Sequence, residues 1–248
     1  MREREIAVRT PDGTMPTFVT HPEEGGPFPV VLVFMDALGI REELRDMARR
    51  IATVGYYVML PNLFYRDGGP SFDPRLLPTQ GPDPAMMRLN HALTHALCLA
   101  DTRAALAAAD ADPAAGDAVG TVGYCMGGRH AFAAAAELPE RVRAMASLHG
   151  GFQVTDRPDS VHLRIGEIRA ECYLGFADGD PLSPPLHQEI IAESMARHGL
   201  TFRLEVHPGA AHGFTFPERH CYHKPSAERA WERIFALLDR TLRHPPAA

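Results

Sequence analysis

A cysteine lies between closely spaced glycines in the segment Gly-Tyr-Cys-Met-Gly-Gly at residues 123–128. The alternating apolar residues 118–123 predict a strand, and the alanine-rich residues after the segment favour a helix. A strand, a tight turn and a helix with the pattern glycine-x-nucleophile-x-glycine form a nucleophile elbow, here with a thiol at its apex. The first turn of a helix favours the thiolate through the positive end of its dipole. We therefore expect Cys125 to act as a nucleophile.

An acid and a histidine follow Cys125 in the chain order nucleophile, acid, histidine. Asp178 and Asp180 come directly after the predicted strand 171–177, and His212 comes after the predicted strand 202–206. Because the carboxyl ends of parallel strands share one edge of a sheet, we expect these side chains to converge on Cys125. The imidazole would then hold the thiol proton, and the carboxylate would fix the tautomer of the imidazole. An aspartate after a strand is also a common turn former, so the prediction depends on the nucleophile, the acid and the histidine each following a strand in this order.

Two other roles for Cys125 stay open on the residues alone. A redox or thiol-transfer protein usually has a resolving cysteine or a C-x-x-C pair, and the four cysteines, at positions 98, 125, 172 and 221, form no such pair. A non-catalytic binding protein on the same scaffold would form no covalent intermediate. Peroxide sensitivity without ester turnover would favour the first role, and the absence of an acyl adduct would favour the second.

The predicted elements alternate between strands and helices, which is typical of a mostly parallel sheet flanked by helices. The predicted strands are residues 6–10, 15–20, 29–35, 56–60, 118–123, 144–148, 171–177 and 202–206. The predicted helices are residues 41–54, 86–110, 127–138, 186–197 and 227–242. The first two strands flank a Pro-Asp-Gly-Thr turn and form a β-hairpin at the edge of the sheet. Length and composition predict a single α/β domain over residues 1–248.

A long loop rich in proline and glycine, residues 61–84, leaves the carboxyl end of the predicted strand 56–60. Open α/β sheets bind their ligands at this edge, and loops of this length are usually functional or mobile. We expect the loop to cover part of the site, with Tyr65, Arg66 and, near the histidine, Phe214 binding the substrate. Arg66 would clamp an anion, or else be a solvated loop charge.

Charge and composition exclude several classes of partner. A formal net charge of -6 is the opposite of the positive charge typical of nucleic-acid-binding proteins, so we expect no nucleic-acid partner. The charged residues 1–5 contain no signal core, and the apolar run 30–35 is too short to span a membrane, so we expect no membrane partner. Four cysteines without paired spacing agree with a reducing compartment. We expect a cytoplasmic protein that is a monomer or a small homo-oligomer.

The sequence also predicts neither a cofactor nor a metal. It contains no glycine-rich phosphate cradle and no dinucleotide fingerprint. His91 and His95 lie four residues apart on a predicted helix, but no glutamate follows the first and no third ligand is near. His220, Cys221 and His223 match no metal-ligand spacing, and surface histidines explain both groups.

The chain resembles the dienelactone hydrolase family in five segments, residues 31–39, 55–64, 123–128, 180–184 and 212–214. The resemblance implies an α/β-hydrolase fold with a triad of Cys125, Asp180 and His212. The family pattern places its acid four residues before a proline, which favours Asp180 over Asp178. It also implies hydrolysis of a small-molecule ester or lactone through an acyl-enzyme on the cysteine.

The resemblance implies further roles around the triad. Asp36 falls where relatives carry a glutamate thought to assist thiolate formation, and the alternative is that it caps the following helix. We expect the backbone amides of Met126 and Ala37 to form the oxyanion hole. Characterised relatives bind a substrate carboxylate through an arginine shortly after the histidine, whereas Arg219 comes later in this chain.

Overall fold

The computed structural model describes residues 1–244, which form an eight-stranded sheet flanked by helices. The strands are β1 Arg2–Thr10, β2 Gly13–His21, β3 Phe28–Phe34, β4 Tyr57–Pro61, β5 Ala115–Tyr124, β6 Val142–Leu148, β7 Glu171–Ala177 and β8 Phe202–His207. The helices are α1 Glu42–Ala52, α2 Leu77–Gln80, α3 Pro84–Ala92, α4 His95–Asp110, α5 Met126–Glu137, α6 Pro185–Arg197 and α7 Lys224–Leu238.

The strands lie in the order β1-β2-β4-β3-β5-β6-β7-β8. β2 is antiparallel to both β1 and β4, and all the other neighbouring pairs are parallel. The prediction of a mostly parallel α/β sheet with an N-terminal hairpin at its edge is confirmed.

The central strands are apolar along their length because they are covered on both faces, as parallel sheets require. Residues 30–34 of β3 and every residue of β4 are buried. α1 buries Leu44, Met47 and Ile51, whose spacing of three and four residues places them on one face of the helix. This packing holds the strand ends that carry the site residues in a fixed frame.

The sheet changes its direction of growth at β3. After β3 the chain adds β4 on one side, and it then returns to add β5 on the other side of β3. Such a switch point opens a crevice at the carboxyl ends of the strands, where ligands bind in open α/β sheets. Asp36 follows β3 and Cys125 follows β5, so both residues lie at this crevice.

The predicted helix 86–110 is wrong, because two helices, α3 and α4, occupy this segment. Leu93 between them is extended, with φ −74° and ψ 94°, and the Thr94 hydroxyl accepts the backbone N–H of Leu97 at 3.2 Å. A threonine at this position competes with helix continuation by capping a new helix. Apolar periodicity continues across the break and therefore does not reveal it.

The loop at residues 61–84 is partly structured, since it contains two 3₁₀ turns and α2. The Phe72 N–H donates to the Leu38 carbonyl oxygen at 2.8 Å. Gly39 has φ +77°, and a Cβ there would lie 2.3 Å from the Pro70 carbonyl oxygen. The loop therefore packs closely against the turn after β3, at the edge of the crevice.

The predicted C-terminal helix 227–242 corresponds to α7, which begins earlier than expected, at Lys224. A π-helical turn, Asp239–Arg243, follows α7 directly. Among residues 1–244, no helix is both long and apolar enough to cross a lipid bilayer.

Candidate active site

Cys125 lies at the turn between β5 and α5 in a strained backbone conformation, with φ 53° and ψ −114°. A non-glycine residue in such a region costs about 1–3 kcal/mol and persists only where the surroundings fix it. Two glycines allow the necessary close approach. A Cβ on Gly123 would lie 2.0 Å from the Gly127 carbonyl oxygen, and a Cβ on Gly127 would lie 2.2 Å from the Phe34 carbonyl oxygen. The segment therefore has the geometry of a nucleophile elbow.

His212 and Asp180 are joined by a short hydrogen bond, with Nδ1 of His212 lying 2.7 Å from Oδ2 of Asp180. Asp180 is buried, and its other oxygen accepts the backbone N–H of Leu182 at 2.9 Å. Asp178 is exposed and instead accepts the Gly209 N–H at 3.2 Å. Of the two candidate acids, Asp180 is the one that orients the imidazole.

The pKa values of Cys125 and His212 shift in opposite directions. Burial alone would raise the pKa of the Cys125 thiol, but the positive charge of the neighbouring His212 imidazolium lowers it. Burial would lower the pKa of His212, but the Cys125 charge and the hydrogen bond to Asp180 raise it. Both shifts favour the thiolate–imidazolium form of the pair, which is the reactive form of a cysteine nucleophile. Nε2 of His212 is buried and has no hydrogen-bond partner within residues 1–244, so it is not committed to another protein group.

His149 is a site residue that the motifs do not single out. Its ring meets that of His212 edge-on, with centroids 5.1 Å apart, and its Nε2 lies 2.8 Å from the Thr215 hydroxyl. Burial and the charge of His212 hold the pKa of His149 well below its ordinary value, so the ring is neutral and does not repel the imidazolium. The sequence signal for it is its place directly after β6, at the same edge as Cys125.

Phe214 does not line a substrate pocket. It is completely buried, and its ring centroid lies 5.4 Å from that of His149 and 4.7 Å from that of His207. The substrate-binding role predicted for Phe214 is wrong, because a side chain with no exposed surface contacts only the protein. It anchors the loop that carries His212.

Asp36 does not hydrogen-bond the thiol. Its buried carboxylate binds Arg41 at 2.8 and 3.2 Å, Arg219, and the Leu38 N–H at 3.2 Å. Its charge raises the pKa of Cys125, whereas the charge of Arg219 lowers it. The thiolate-assisting role implied by the resemblance stays a prediction that no contact in this structure supports, because the short carboxylate is paired with two guanidinium groups. Helix capping is not its role either, since α1 begins after Arg41 without a side-chain cap.

The backbone amides of Met126 and Ala37 lie at the start of α5 and in the turn after β3. Neither amide donates a hydrogen bond to a protein acceptor in the part of the chain that the structure describes. Uncommitted amides at these two turns are what an oxyanion hole requires. The oxyanion-hole assignment stays a prediction that this geometry supports.

Tyr65 and Arg66 tie the loop after β4 to other elements. Arg66 binds both oxygens of the buried Asp101 at 2.8 Å, and it binds Asp12 at 2.8 Å. The Tyr65 hydroxyl lies 2.6 Å from the Thr10 hydroxyl and donates to Asp101 at 3.0 Å. Arg66 could clamp a substrate anion only by breaking these ion pairs. The substrate-binding roles of Tyr65 and Arg66 stay predictions, and the contacts in this structure instead give both residues a part in fixing the loop.

Within residues 1–244, no group of three or more histidine, cysteine, aspartate or glutamate side chains could hold a metal ion. His91 and His95, which share a predicted helix, lie on the separate helices α3 and α4. Nδ1 of His223 is bound to the Ser226 hydroxyl at 2.7 Å.

Comparison with known proteins shows the family to which this chain belongs. The model of the dienelactone hydrolase family matches residues 15–242. The chain belongs to the dienelactone hydrolase family. A Synechocystis relative named "Putative carboxymethylenebutenolidase" is 28% identical to this protein over 230 residues, which cover 91% of this chain and 92% of the relative. A relative of the same name from Methylorubrum extorquens is 27% identical over 234 residues, which is 93% of this chain and 78% of the relative.

Solved structures show the same fold. The crystal structure of a "Putative Dienelactone Hydrolase" from Klebsiella pneumoniae is 24% identical and superposes with a TM-score of 0.86, over 96% of this chain and 98% of that chain. The fold is that of the α/β-hydrolases, as the sheet topology indicates. Family membership and the relatives' names make this protein a hydrolase of the dienelactone hydrolase family.

Proposed function

We propose that this protein hydrolyses a carboxylic ester or lactone through a thioester acyl-enzyme on Cys125. The observation that carries the proposal is the 2.7 Å bond between His212 and Asp180, next to a cysteine in a strained elbow with a lowered pKa. The relatives' name denotes an enzyme acting on a butenolide, which is an unsaturated lactone, and supports the same class of substrate.

In the first half-reaction, the thiolate of Cys125 attacks the carbonyl carbon and forms a tetrahedral oxyanion. The amides of Met126 and Ala37 donate to this oxyanion as its charge develops. The intermediate collapses by breaking the bond between the carbonyl carbon and the alcohol oxygen. Nε2 of the His212 imidazolium gives its proton to the leaving alkoxide, which leaves a thioester on Cys125.

In the second half-reaction, the neutral imidazole of His212 takes a proton from water, whose oxygen attacks the thioester carbonyl. The second tetrahedral intermediate expels the Cys125 thiolate and releases the carboxylic acid. His212 is again an imidazolium, so the resting ion pair is restored. Asp180 stays ionised throughout and stabilises each imidazolium state.

The proposal is tested with p-nitrophenyl esters of short acids and with unsaturated lactones. Cys125→Ala is expected to abolish turnover while leaving the fold unchanged by circular dichroism. Rapid quenching of the wild-type protein with ester, followed by mass spectrometry, is expected to show one acyl group on Cys125. Cys221→Ser is the matched control, because Cys221 is the other partly exposed thiol of residues 1–244 and a hydroxyl keeps its donation to the His212 carbonyl oxygen; this variant is expected to retain turnover.

Full esterase activity in Cys125→Ala would refute the proposal. Oxidation of Cys125 by peroxide without turnover of any ester or lactone would also refute it, and would favour a redox role instead.

A further inference from the structure

His149 occupies a strained turn directly after β6. Its φ is +38°, in the left-handed region that a residue with a ring adopts only at a cost. Among residues 1–244, the other non-glycine residues with a positive φ are Cys125 and Phe152. The His149 N–H donates to the Gly175 carbonyl oxygen at 2.6 Å, which holds the turn against β7. Backbone strain persists where the surroundings fix it, and it concentrates at functional sites.

The residues on either side of His149 hold the backbone of Cys125. The Leu148 carbonyl oxygen accepts the Cys125 N–H at 3.1 Å, and the Gly151 N–H donates to the Cys125 carbonyl oxygen at 3.3 Å. These two hydrogen bonds join the nucleophile elbow to the turn after β6. The His149 side chain therefore starts from a backbone whose position is tied to that of the nucleophile.

The ring of His149 contacts the imidazole of His212. The two rings meet at an angle of 69°, with centroids 5.1 Å apart. Gly151 lies beside the same imidazole, because a Cβ on Gly151 would be 3.9 Å from Cε1 of His212. Asp180 binds Nδ1 of His212 at 2.7 Å, but one hydrogen bond leaves a ring free to pivot about the bonded atom. The contacts with the turn after β6 restrict that pivot.

The protein gives the His149 ring a single orientation. The side chain is fully buried, and its Nε2 lies 2.8 Å from the Thr215 hydroxyl. The ring centroids of Phe214 and Phe216 lie 5.4 and 5.5 Å from that of His149, within the range of favourable aromatic contacts. These three partners belong to the segment that follows His212. His149 thus joins the segment that carries the imidazole to the turn that holds the nucleophile.

We propose that His149 is a positioning residue, which fixes the imidazole of His212 where it can exchange a proton with Cys125 and with the leaving alcohol. The inference rests on the proposed function and concerns the geometry of its proton transfers. His149 is not a second base, because its Nε2 is already bound to the Thr215 hydroxyl.

A purely structural role is the alternative for His149. A buried ring that only fills space would contribute to the free energy of unfolding and would leave the acidity of the Cys125 thiol unchanged. A ring that positions His212 acts on both quantities, since the thiol is acidic only while the imidazolium charge lies close to it. The thiol acidity therefore separates the two roles.

The test measures the pH midpoint of Cys125 alkylation by iodoacetamide, followed by mass spectrometry, together with kcat and KM for p-nitrophenyl acetate. His149→Asn removes the ring and keeps a residue type that tolerates the left-handed backbone. It is expected to raise the alkylation midpoint by about one pH unit, because the charge of His212 is held less closely to the sulfur. We expect kcat to fall by about 10- to 100-fold, as misplaced catalytic groups do, and KM to stay within about threefold.

Thr215→Val is a milder variant, which removes the hydroxyl bound to His149 and keeps the side-chain shape. It is expected to shift the midpoint and kcat in the same directions by smaller amounts. His149→Phe combined with Thr215→Val keeps a ring and replaces both polar partners by apolar groups. This double variant is expected to restore the midpoint and to bring kcat within about threefold of wild type.

His21→Asn is the matched control. His21 is another buried histidine, 3% exposed, and its ring stacks on that of Tyr57 in β4, with centroids 5.3 Å apart. Its substitution is expected to lower the melting temperature without moving the alkylation midpoint.

A lower melting temperature in His149→Asn with an unchanged midpoint would assign the ring to stability alone and overturn the proposal. If His149→Asn does not fold, an unchanged midpoint in Thr215→Val overturns the proposal by itself.

Alkylation needs no ester, so it separates this inference from the proposed function. Raised midpoints in the variants of a protein that hydrolyses no ester or lactone would refute the proposed function and leave the positioning role standing. Turnover through Cys125 with unchanged midpoints in the variants would do the reverse.

Discussion

Burial acts on all four thiols of this chain, and only one of them becomes more acidic. Burial raises the pKa of Cys98 and of Cys172, as expected for a thiolate in apolar surroundings. At Cys125 burial acts in the same direction, but the neighbouring imidazolium of His212 outweighs it. The reactivity of the candidate nucleophile thus depends on one charged neighbour.

His212→Asn is expected to raise the pKa of Cys125 above its ordinary value of 9.0, because burial, the largest influence, is then opposed only by the weaker effect of the Arg219 charge. Since the thiolate is the species that reacts, the rate of alkylation by iodoacetamide rises as the pH passes this pKa. Wild-type protein is expected to show its midpoint below pH 9.0, and the variant above it. Asp180→Asn keeps the imidazole and is expected to shift the midpoint less. An unchanged midpoint in His212→Asn would contradict the ion pair.

The triad could be anticipated from the sequence because each member follows a strand, and the ends of parallel strands meet. The ion pairs of Asp36 could not be anticipated from the sequence, because Arg219 lies 183 residues away and reaches the carboxylate only in the folded chain. A contact over such a separation is a property of the tertiary structure, and no local pattern encodes it.

At the scale of elements, the site depends on β3, β5 and α5 meeting backbone to backbone. α5 is buried from Met126 to Ala136, and it packs against β5 and β6. Glycine at the start of the helix lets it approach β3 closely enough to place the Cys125 turn next to the turn after β3. The proximity of the two predicted oxyanion amides follows from this approach.

Gly127→Ala is expected to destabilise the protein by about 3 kcal/mol or more, because its Cβ would lie 2.2 Å from one backbone carbonyl oxygen and 2.7 Å from another. Urea unfolding measures the loss, and esterase activity is expected to fall with it. Gly68→Ala is the control. Gly68 has φ +84°, but no atom lies within 4 Å of the new Cβ. The variant is therefore destabilised only by the strain of that backbone conformation, about 1–2 kcal/mol. Equal destabilisation of the two variants would show that the close approach does not matter.

Buried strands were easier to locate from the sequence than helix boundaries. The predicted strand 171–177 coincides with β7, because a continuous apolar run has clear ends. The division between α3 and α4 depends on one hydroxyl, that of Thr94, within a pattern that otherwise continues. Side-chain capping is a short-range competition that apolar periodicity does not register.

At the scale of the whole molecule, one ion-pair network joins the edge hairpin, the loop after β4 and α4. Arg66 from the loop binds Asp12 in the hairpin turn and Asp101 on α4. These two carboxylates differ in exposure, since the Asp101 side chain is 0% exposed and that of Asp12 is 44% exposed. The long loop is therefore fixed at its beginning by a buried contact.

Asp101→Asn is expected to lower the free energy of unfolding by about 2 kcal/mol, because a charged hydrogen-bonded pair is lost in a buried setting. Asp12→Asn is the matched control on the same guanidinium, and exposed pairs of this kind contribute about 0–1 kcal/mol. Thermal unfolding compares the two variants. Limited proteolysis within residues 68–84 is expected to accelerate only in Asp101→Asn. Equal effects would mean that the buried contact does not hold the loop.

The Asp36–Arg219 contact joins the turn after β3 to the segment that follows His212. A substitution there would alter the acidity of the thiol and the anchoring of the imidazole together, so evolution cannot tune one without disturbing the other. Among related enzymes, the two members of this ion pair are therefore expected to change together or to stay constant.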